Sequence, residues 1–302
     1  MLDINDFKLV EISDYDFFKN FYTKYPRQHS DNSFTNMICW NDYATYKYLH
    51  INDAVIISST IEGEISFRGP FGDYDDELLK DTLRLSKKYG SHLAYQIFDE
   101  YTKKRIEKII PDIKINPDRD YYDYVYKTEI LKDLPGKHFL SIRKHLNKFK
   151  RECDFSVEQI SQDNLLEVNE FLIAWCKWKE CKKNPILNYE KNATVYAVKH
   201  FKELKLSGIA LRVKGNISAI SIFEELNPTT VVIHYEKGLP DCEGNYKAVN
   251  NETAKFLYGK YEYINRESDL GVGGLRIAKM RYNPDHFAKV YFIRAEDIPD
   301  DL

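Results

Sequence analysis

The chain has 302 residues, 43% of them hydrophobic and 30% charged, a globular balance with room for about two domains. A formal net charge of −3 excludes a protein that holds polyanions through its overall charge, and five cysteines without a C-x-x-C pair support neither a zinc site nor a disulfide framework. No apolar run approaches the roughly 20 residues that span a bilayer, and the N-terminal segment lacks the pattern of a signal peptide, so reduced thiols in a cytoplasm are expected.

In chain order, an apolar stretch at residues 7–12 precedes Ser13 and Asp14, which suit the cap of a helix running through Phe21 and Tyr22. A second short helix is expected over residues 33–40. Three extended runs follow at 44–51, 54–61 and 64–68, and turns at Asn52-Asp53 and Glu62-Gly63 make them an antiparallel meander. Arg68-Gly69-Pro70-Phe71-Gly72 reads as a forced turn closing that meander. Leu78, Leu79, Leu83 and Leu85 space a helix over 75–89, with Gly90 at its C-cap. A strand at 92–98, a helix at 101–110 and strands near 113–115 and 122–126 complete this half.

A polar connector at 132–137 leads to a basic amphipathic helix over 139–151, whose Phe139, Ile142, Leu146 and Phe149 recur at helical spacing. The second half then repeats the first in element order. It has a strand at 155–160, then helices at 163–182 and 190–204 divided by Asn184-Pro185. Three strands follow at 209–213, 219–225 and 230–236. A helix at 246–258, a strand at 261–265, a helix at 274–280 and a strand at 289–294 close the chain. The expected organisation is two domains, residues 1–131 and 132–302, of one α/β (α+β) class. Each is a mixed, mainly antiparallel sheet flanked by helices.

This element order resembles the N-acetyltransferase superfamily, in which the fourth and fifth strands splay apart and the exposed backbone holds an acyl donor. Here those strands are 230–236 and 261–265. The following helix points its N-terminus at the donor's phosphates. Members that use coenzyme A carry a Gly-rich Q/R-x-x-G-x-G/A turn there. Residues 237–246 read KGLPDCEGNY instead, with Gly244 near the right place and Asp241 and Glu243 set to repel a diphosphate.

Residues 265–282, NRESDLGVGGLRIAKMRY, together with 122–152 and 25–40, resemble soluble relatives of the phosphatidylglycerol lysyltransferase C-terminal domain. The D-L-G-x-x-G-L-R-x-A-K pattern is the most specific part. The resemblance implies a tandem acetyltransferase-like fold and an acyl- or aminoacyltransferase. Its donor would be acyl-CoA or aminoacyl-tRNA, and its acceptor a small molecule, a peptide or a lipid headgroup, with no metal. A coenzyme A-dependent N-acyltransferase with an altered loop, and a non-catalytic protein that keeps the cleft for a ligand, are the other classes in view.

Several residues could carry such chemistry. Glu267 or Asp269, just after the splayed strand with Asn265, could take a proton from the attacking amine or hydroxyl. Asp269 equally suits a turn cap paired with Arg266 or Arg276. Arg276 and Lys279, three apart on one helix, could grip an anion together. Tyr282 could act as a general acid or pack beneath Pro284. On the strand end, alternation sends His234 and Glu236 one way and Tyr235 and Lys237 the other, and one pair should face the cleft. Arg143, Lys144 and Lys148 on the basic helix, with Trp175 and Trp178 in WCKWKECKK, could grip RNA and stack a base, or could simply be solvated faces.

Overall fold

A computed structural model describes residues 2–302. The chain opens with β1 (Lys8–Leu9), α1 (Tyr15–Lys24) and α2 (Phe34–Cys39), the last capped by Ser33, which accepts from the Asn36 N–H. The meander β2 (Thr45–Ile51), β3 (Ala54–Ile61) and β4 (Glu64–Gly72) follows. Asp75 caps α3 (Asp76–Tyr89), and β5 (Tyr95–Phe98) leads to α4 (Glu100–Ile109), capped by Asp99, and to β6 (Asn116–Pro117).

Next come β7 (Asp123–Lys127), α5 (Thr128–Asp133), α6 (Leu140–Glu152), β8 (Phe155–Gln159) and α7 (Leu165–Lys179). Asn184 caps α8 (Pro185–Lys199), whose Pro185 occupies the first turn, where a missing N–H costs nothing. The long strands β9 (Ser207–Val213), β10 (Asn216–Asn227) and β11 (Thr230–Gly238) precede α9 (Asn245–Leu257). β12 (Tyr263–Asn265), α10 (Gly273–Met280), β13 (His286–Ala288) and β14 (Tyr291–Ile293) finish the chain. Among the described residues no helix is long and apolar enough to cross a membrane.

Two seven-stranded sheets result, ordered β1-β2-β3-β4-β5-β14-β6 and β8-β9-β10-β11-β12-β7-β13. Written this way they match strand for strand, so the expected repeat of element order holds. Each sheet has a parallel pair at the same place in its order, β4 with β5 and β11 with β12. Each is flanked by helices, so both units have the expected α/β class.

The division between the units differs from a cut at residue 131. The first unit comprises residues up to Tyr122, Ser268–Gly271 and Ala288–Leu302, and the second Asp123–Glu267 and Val272–Phe287. The sixth strand of each sheet comes from the other end of the chain's halves. β14 lies between β5 and β6, and β7 lies between β12 and β13. Short strands of this kind carry no local signal of which sheet they join.

Three other expectations change. The segment 68–72 is not a closing turn, because β4 runs on to Gly72 and re-pairs Phe71 with Val55 after a register slip. Gly69 takes φ +93° at that slip, and a Cβ there would meet the Val55 carbonyl at 2.8 Å. Part of the connector is helical, as α5. The thiols are not all free: Cys153 pairs with Cys242 and Cys176 with Cys181, leaving Cys39.

The second core centres on Tyr124, Tyr126, Phe149, Phe223 and Ile264, with Ile142, Leu146 and Phe149 supplying the apolar face expected of α6. Burying Phe149 or Phe223 fully is worth about 2–3 kcal/mol each. The first core gathers Phe67, Leu83, Tyr95, Phe98 and Ile293. A polypeptide of residues 1–131 lacks β14 from its sheet and leaves β7 without one. It is expected to show no cooperative thermal melt by near-ultraviolet circular dichroism, and a sharp melt would show β14 to be dispensable.

Candidate active site

The site begins where two strands of the second unit part. β11 and β12 pair in parallel at Thr230↔Tyr263, Val231↔Ile264 and Val232↔Asn265, and nowhere further. Beyond that point the chain after Asn265 stays with β7: the Arg266 N–H donates to the Tyr124 carbonyl (2.9 Å) and the Tyr124 N–H to the Glu267 carbonyl (3.2 Å). β11 meanwhile continues to Gly238 along β10. Residues 233–238 therefore have a sheet neighbour on one side only.

Side chains cross the opening. On β11 a bulge falls at His234, since Ile233 faces Phe223 and Tyr235 faces Ile222. The extra residue re-aims the imidazole, as bulges near active sites do. Its Nδ1 lies 2.9 Å from Glu267 Oε1 and its Nε2 2.9 Å from Glu224 Oε1, with the side chain fully buried. Burial opposes its charge, yet hydrogen bonds to Glu224 and Glu267 prevail and hold the imidazole pKa at about 10. His234 is thus an imidazolium donating to two carboxylates.

Two residues along, Glu236 accepts from Arg266 (2.8 Å) and from the Asn250 side chain (3.2 Å). His234 and Glu236 are therefore the pair that faces the parted segment. Lys237 turns toward the helices instead. Its ammonium pairs with Glu190 of α8 and lies 4.4 Å from the Trp175 ring centroid. Burial pushes that ammonium below the ordinary lysine range, with Glu190 opposing. Tyr235 is buried at 1% exposure.

Glu267 stands at the edge of the opening with its side chain 28% exposed. Its backbone is left-handed, φ 58°, a costly conformation for a residue with a Cβ. Asn265 and Lys279 enforce it. The buried Asn265 amide accepts from the Glu267 N–H (2.7 Å) and donates to Asp123 (2.8 Å). Lys279 Nζ donates to the carbonyls of Arg266 (2.6 Å) and Glu267 (3.0 Å).

The other expected residues fall as follows. Lys279 is committed to those carbonyls, and Arg276 lies half-exposed on the same helix. Tyr282 is buried with the Arg266 guanidinium 5.0 Å above its ring, and burial first of all raises its hydroxyl to about 12. Asp269 belongs to the first unit, where it is fully buried, accepts from Arg119 (3.3 Å) and caps the Gly271 N–H (3.0 Å). Gly244 precedes α9 with φ +99°, and a Cβ would meet the His145 carbonyl at 3.1 Å, so both conformation and space call for glycine.

In the same loop Glu243 pairs with Lys148, and Asp241 accepts from Ser218 (2.6 Å). Arg143 is tied to the carbonyls of Leu134 and Gly136, whereas Lys144 is exposed. Trp175, buried beneath Lys237, has no face for a nucleic-acid base, whereas Trp178 is exposed. The sequence reading missed Glu224, Glu190 and Asn250, whose partners are set by the bulge and by helix placement. Among the described residues, no group of three or more His, Cys, Asp or Glu side chains is placed to hold a metal ion.

The family described as "Phosphatidylglycerol lysyltransferase, C-terminal" matches residues 22–294. The chain belongs to this family. Family membership agrees with solved structures. A conserved protein of unknown function from Bacteroides thetaiotaomicron VPI-5482 superposes at TM-score 0.87 with 29% identity, covering 95% of this chain and 98% of that one. L-PGS from Bacillus licheniformis gives 0.63 at 13% identity, covering 93% and 91%. FemX gives 0.56 at 8% identity, covering 93% and 96%. The last two likenesses are of fold alone. No curated protein matches the chain in sequence.

The histidine link sets a pH dependence. The folded pKa of about 10 lies above the ordinary value of about 6.5, so the protonated form stabilises the fold. That contribution is complete below pH 6.5 and lost as pH rises through 10. The stability advantage of the native chain over His234→Gln, measured by urea unfolding, is expected to shrink over that window by on the order of a few kcal/mol. A constant difference would show that the imidazole is neutral in the fold.

Proposed function

We propose that the second unit is an acyl- or aminoacyltransferase site in which Glu267 is the general base. The supporting observation is the parting of β11 from β12 after Val232, with Glu267 held at the edge of the opening. The donor carbonyl would lie along residues 233–238, where β11 has parted from β12 and its backbone N–H groups could stabilise the tetrahedral oxyanion. Glu267 would take the proton of the attacking amine or hydroxyl. One imidazolium is shared by two carboxylates, so a negative charge is left over to receive that proton. The strained corner held by Asn265 and Lys279 fixes the carboxylate's position before substrate arrives.

The donor we favour is an aminoacyl group delivered on tRNA. This agrees with the lysyltransferase family and with a loop, KGLPDCEGNY, that lacks the Gly-rich turn of members that use coenzyme A. The acceptor would present an amine or hydroxyl on a small molecule, a peptide or a lipid headgroup. A coenzyme A donor is the second reading, supported by the N-terminus of α9 behind Gly244.

Glu267→Gln is expected to lower kcat by about 10²-fold or more while leaving donor affinity within a few-fold. Unchanged turnover would remove Glu267 from the mechanism. Binding of aminoacyl-tRNA is expected to fall steeply between about 50 and 200 mM salt. Thermal stabilisation by acetyl-CoA, with no binding of aminoacyl-tRNA, would move the assignment to the second reading.

A further inference from the structure

Both disulfides lie in the second unit, and both fasten segments beside the far end of β11. Cys153, at the end of α6, is joined to Cys242 in the loop after β11, across 89 residues of sequence. Cys176, on the last turn of α7, is joined to Cys181 only five residues on, across the corner between α7 and α8. Their Cα separations, 6.4 and 5.3 Å, are ordinary for disulfides. The long closure constrains the unfolded chain far more than the short one, so the first is suited to a permanent staple and the second to a bond that opens without unfolding the unit.

The short bond also sits where opening it matters. Its neighbour Trp175 lies under the Lys237 ammonium, and the helix beyond the corner carries Glu190, the carboxylate partner of Lys237. Glu180, inside the bridged corner, is held in the left-handed region at φ 53°. Cys176 is half-buried, whereas Cys181 is buried, so Cys176 is the more exposed member of the pair.

We propose that Cys176–Cys181 is a reversible redox pair that fixes or releases the hold of Trp175 and Glu190 on Lys237. Its effect on transfer rests on the proposed site, but the pair itself does not. In the reducing direction a thiolate of an external dithiol attacks Cys176 Sγ. Cys181 leaves as a thiolate and takes a proton. The second thiol of the reductant then closes on its own sulfur and releases Cys176. Two electrons and two protons pass from the dithiol to the pair, and exchange with a small disulfide reverses the step. Released, the corner no longer clamps the indole against Lys237.

The test uses the full chain carrying Trp40→Phe and Trp178→Phe, so that Trp175 alone emits among the chain's three tryptophans. Dithiothreitol is added under native conditions and each cysteine is followed by differential alkylation. Air-purified protein is expected to show Cys176 and Cys181 blocked. Their reduction should shift Trp175 emission to longer wavelength, and re-oxidation should restore it. Adding Cys176→Ser and Cys181→Ser should give the shifted emission at once and abolish the response. Three results would overturn the proposal: alkylation of both cysteines before any reductant, unchanged emission when that pair is reduced, or a dithiothreitol response that survives in the serine variant. All are read without an activity assay, so a failed transfer assay leaves this question separately answered.

Discussion

β11 and β12 stop pairing after Val232, and the organisation of the second unit's site depends on that limit. β12 ends at Asn265, whereas β11 runs on to Gly238 and the chain after Asn265 follows β7. The unmade ladder leaves main-chain groups that would be costly to bury alone. His234, Glu236 and Arg266 occupy the interval. Each is itself paired, so the opening is wedged by charge-assisted hydrogen bonds rather than by apolar packing.

The exchange of sixth strands bears on how the fold tolerates that opening. β12 is only three residues long and relies on β7 along its other edge, with Tyr263, Ile264 and Asn265 matched to Lys127, Tyr126 and Val125. Asn265 then ties back to the fully buried Asp123 at the start of β7. The edge facing the opening is therefore stiffened from behind, and the left-handed conformation of Glu267 is maintained by Asn265, Tyr124 and Lys279 together. The first sheet repeats the arrangement with β14 in place of β7 and with its own parallel pair limited to Phe67↔Tyr95.

Much of this was legible in the sequence. Helical periodicity located α3 and α6, the element order pointed to two matching sheets, and the acetyltransferase resemblance implied a parting between 230–236 and 261–265. What stayed hidden was non-local. Nothing around Tyr291 distinguishes a strand of the first sheet from one of the second. No pattern in HYEK reveals the bulge that turns His234 toward both Glu224 and Glu267. The motif residues Lys279 and Asn265 stood out because of their setting in the sequence. Their hydrogen bonds show that they shape the corner on which Glu267 stands. Asp269 and Glu267 looked interchangeable two residues apart, yet a left-handed turn separates a sealed cap from a half-exposed carboxylate.

The charges along the opening are balanced. Glu224, Glu236 and Glu267 stand with His234, Arg266 and Lys279, three carboxylates against three cations. The Lys237–Glu190 pair closes on itself on the side of the helices. Each ion that crosses the opening is therefore met by an opposite one, and a buried ion stripped of its partner is costly. A ligand that enters between the strands must offer a partner for each ion it displaces, so the wedge selects against a plain apolar occupant.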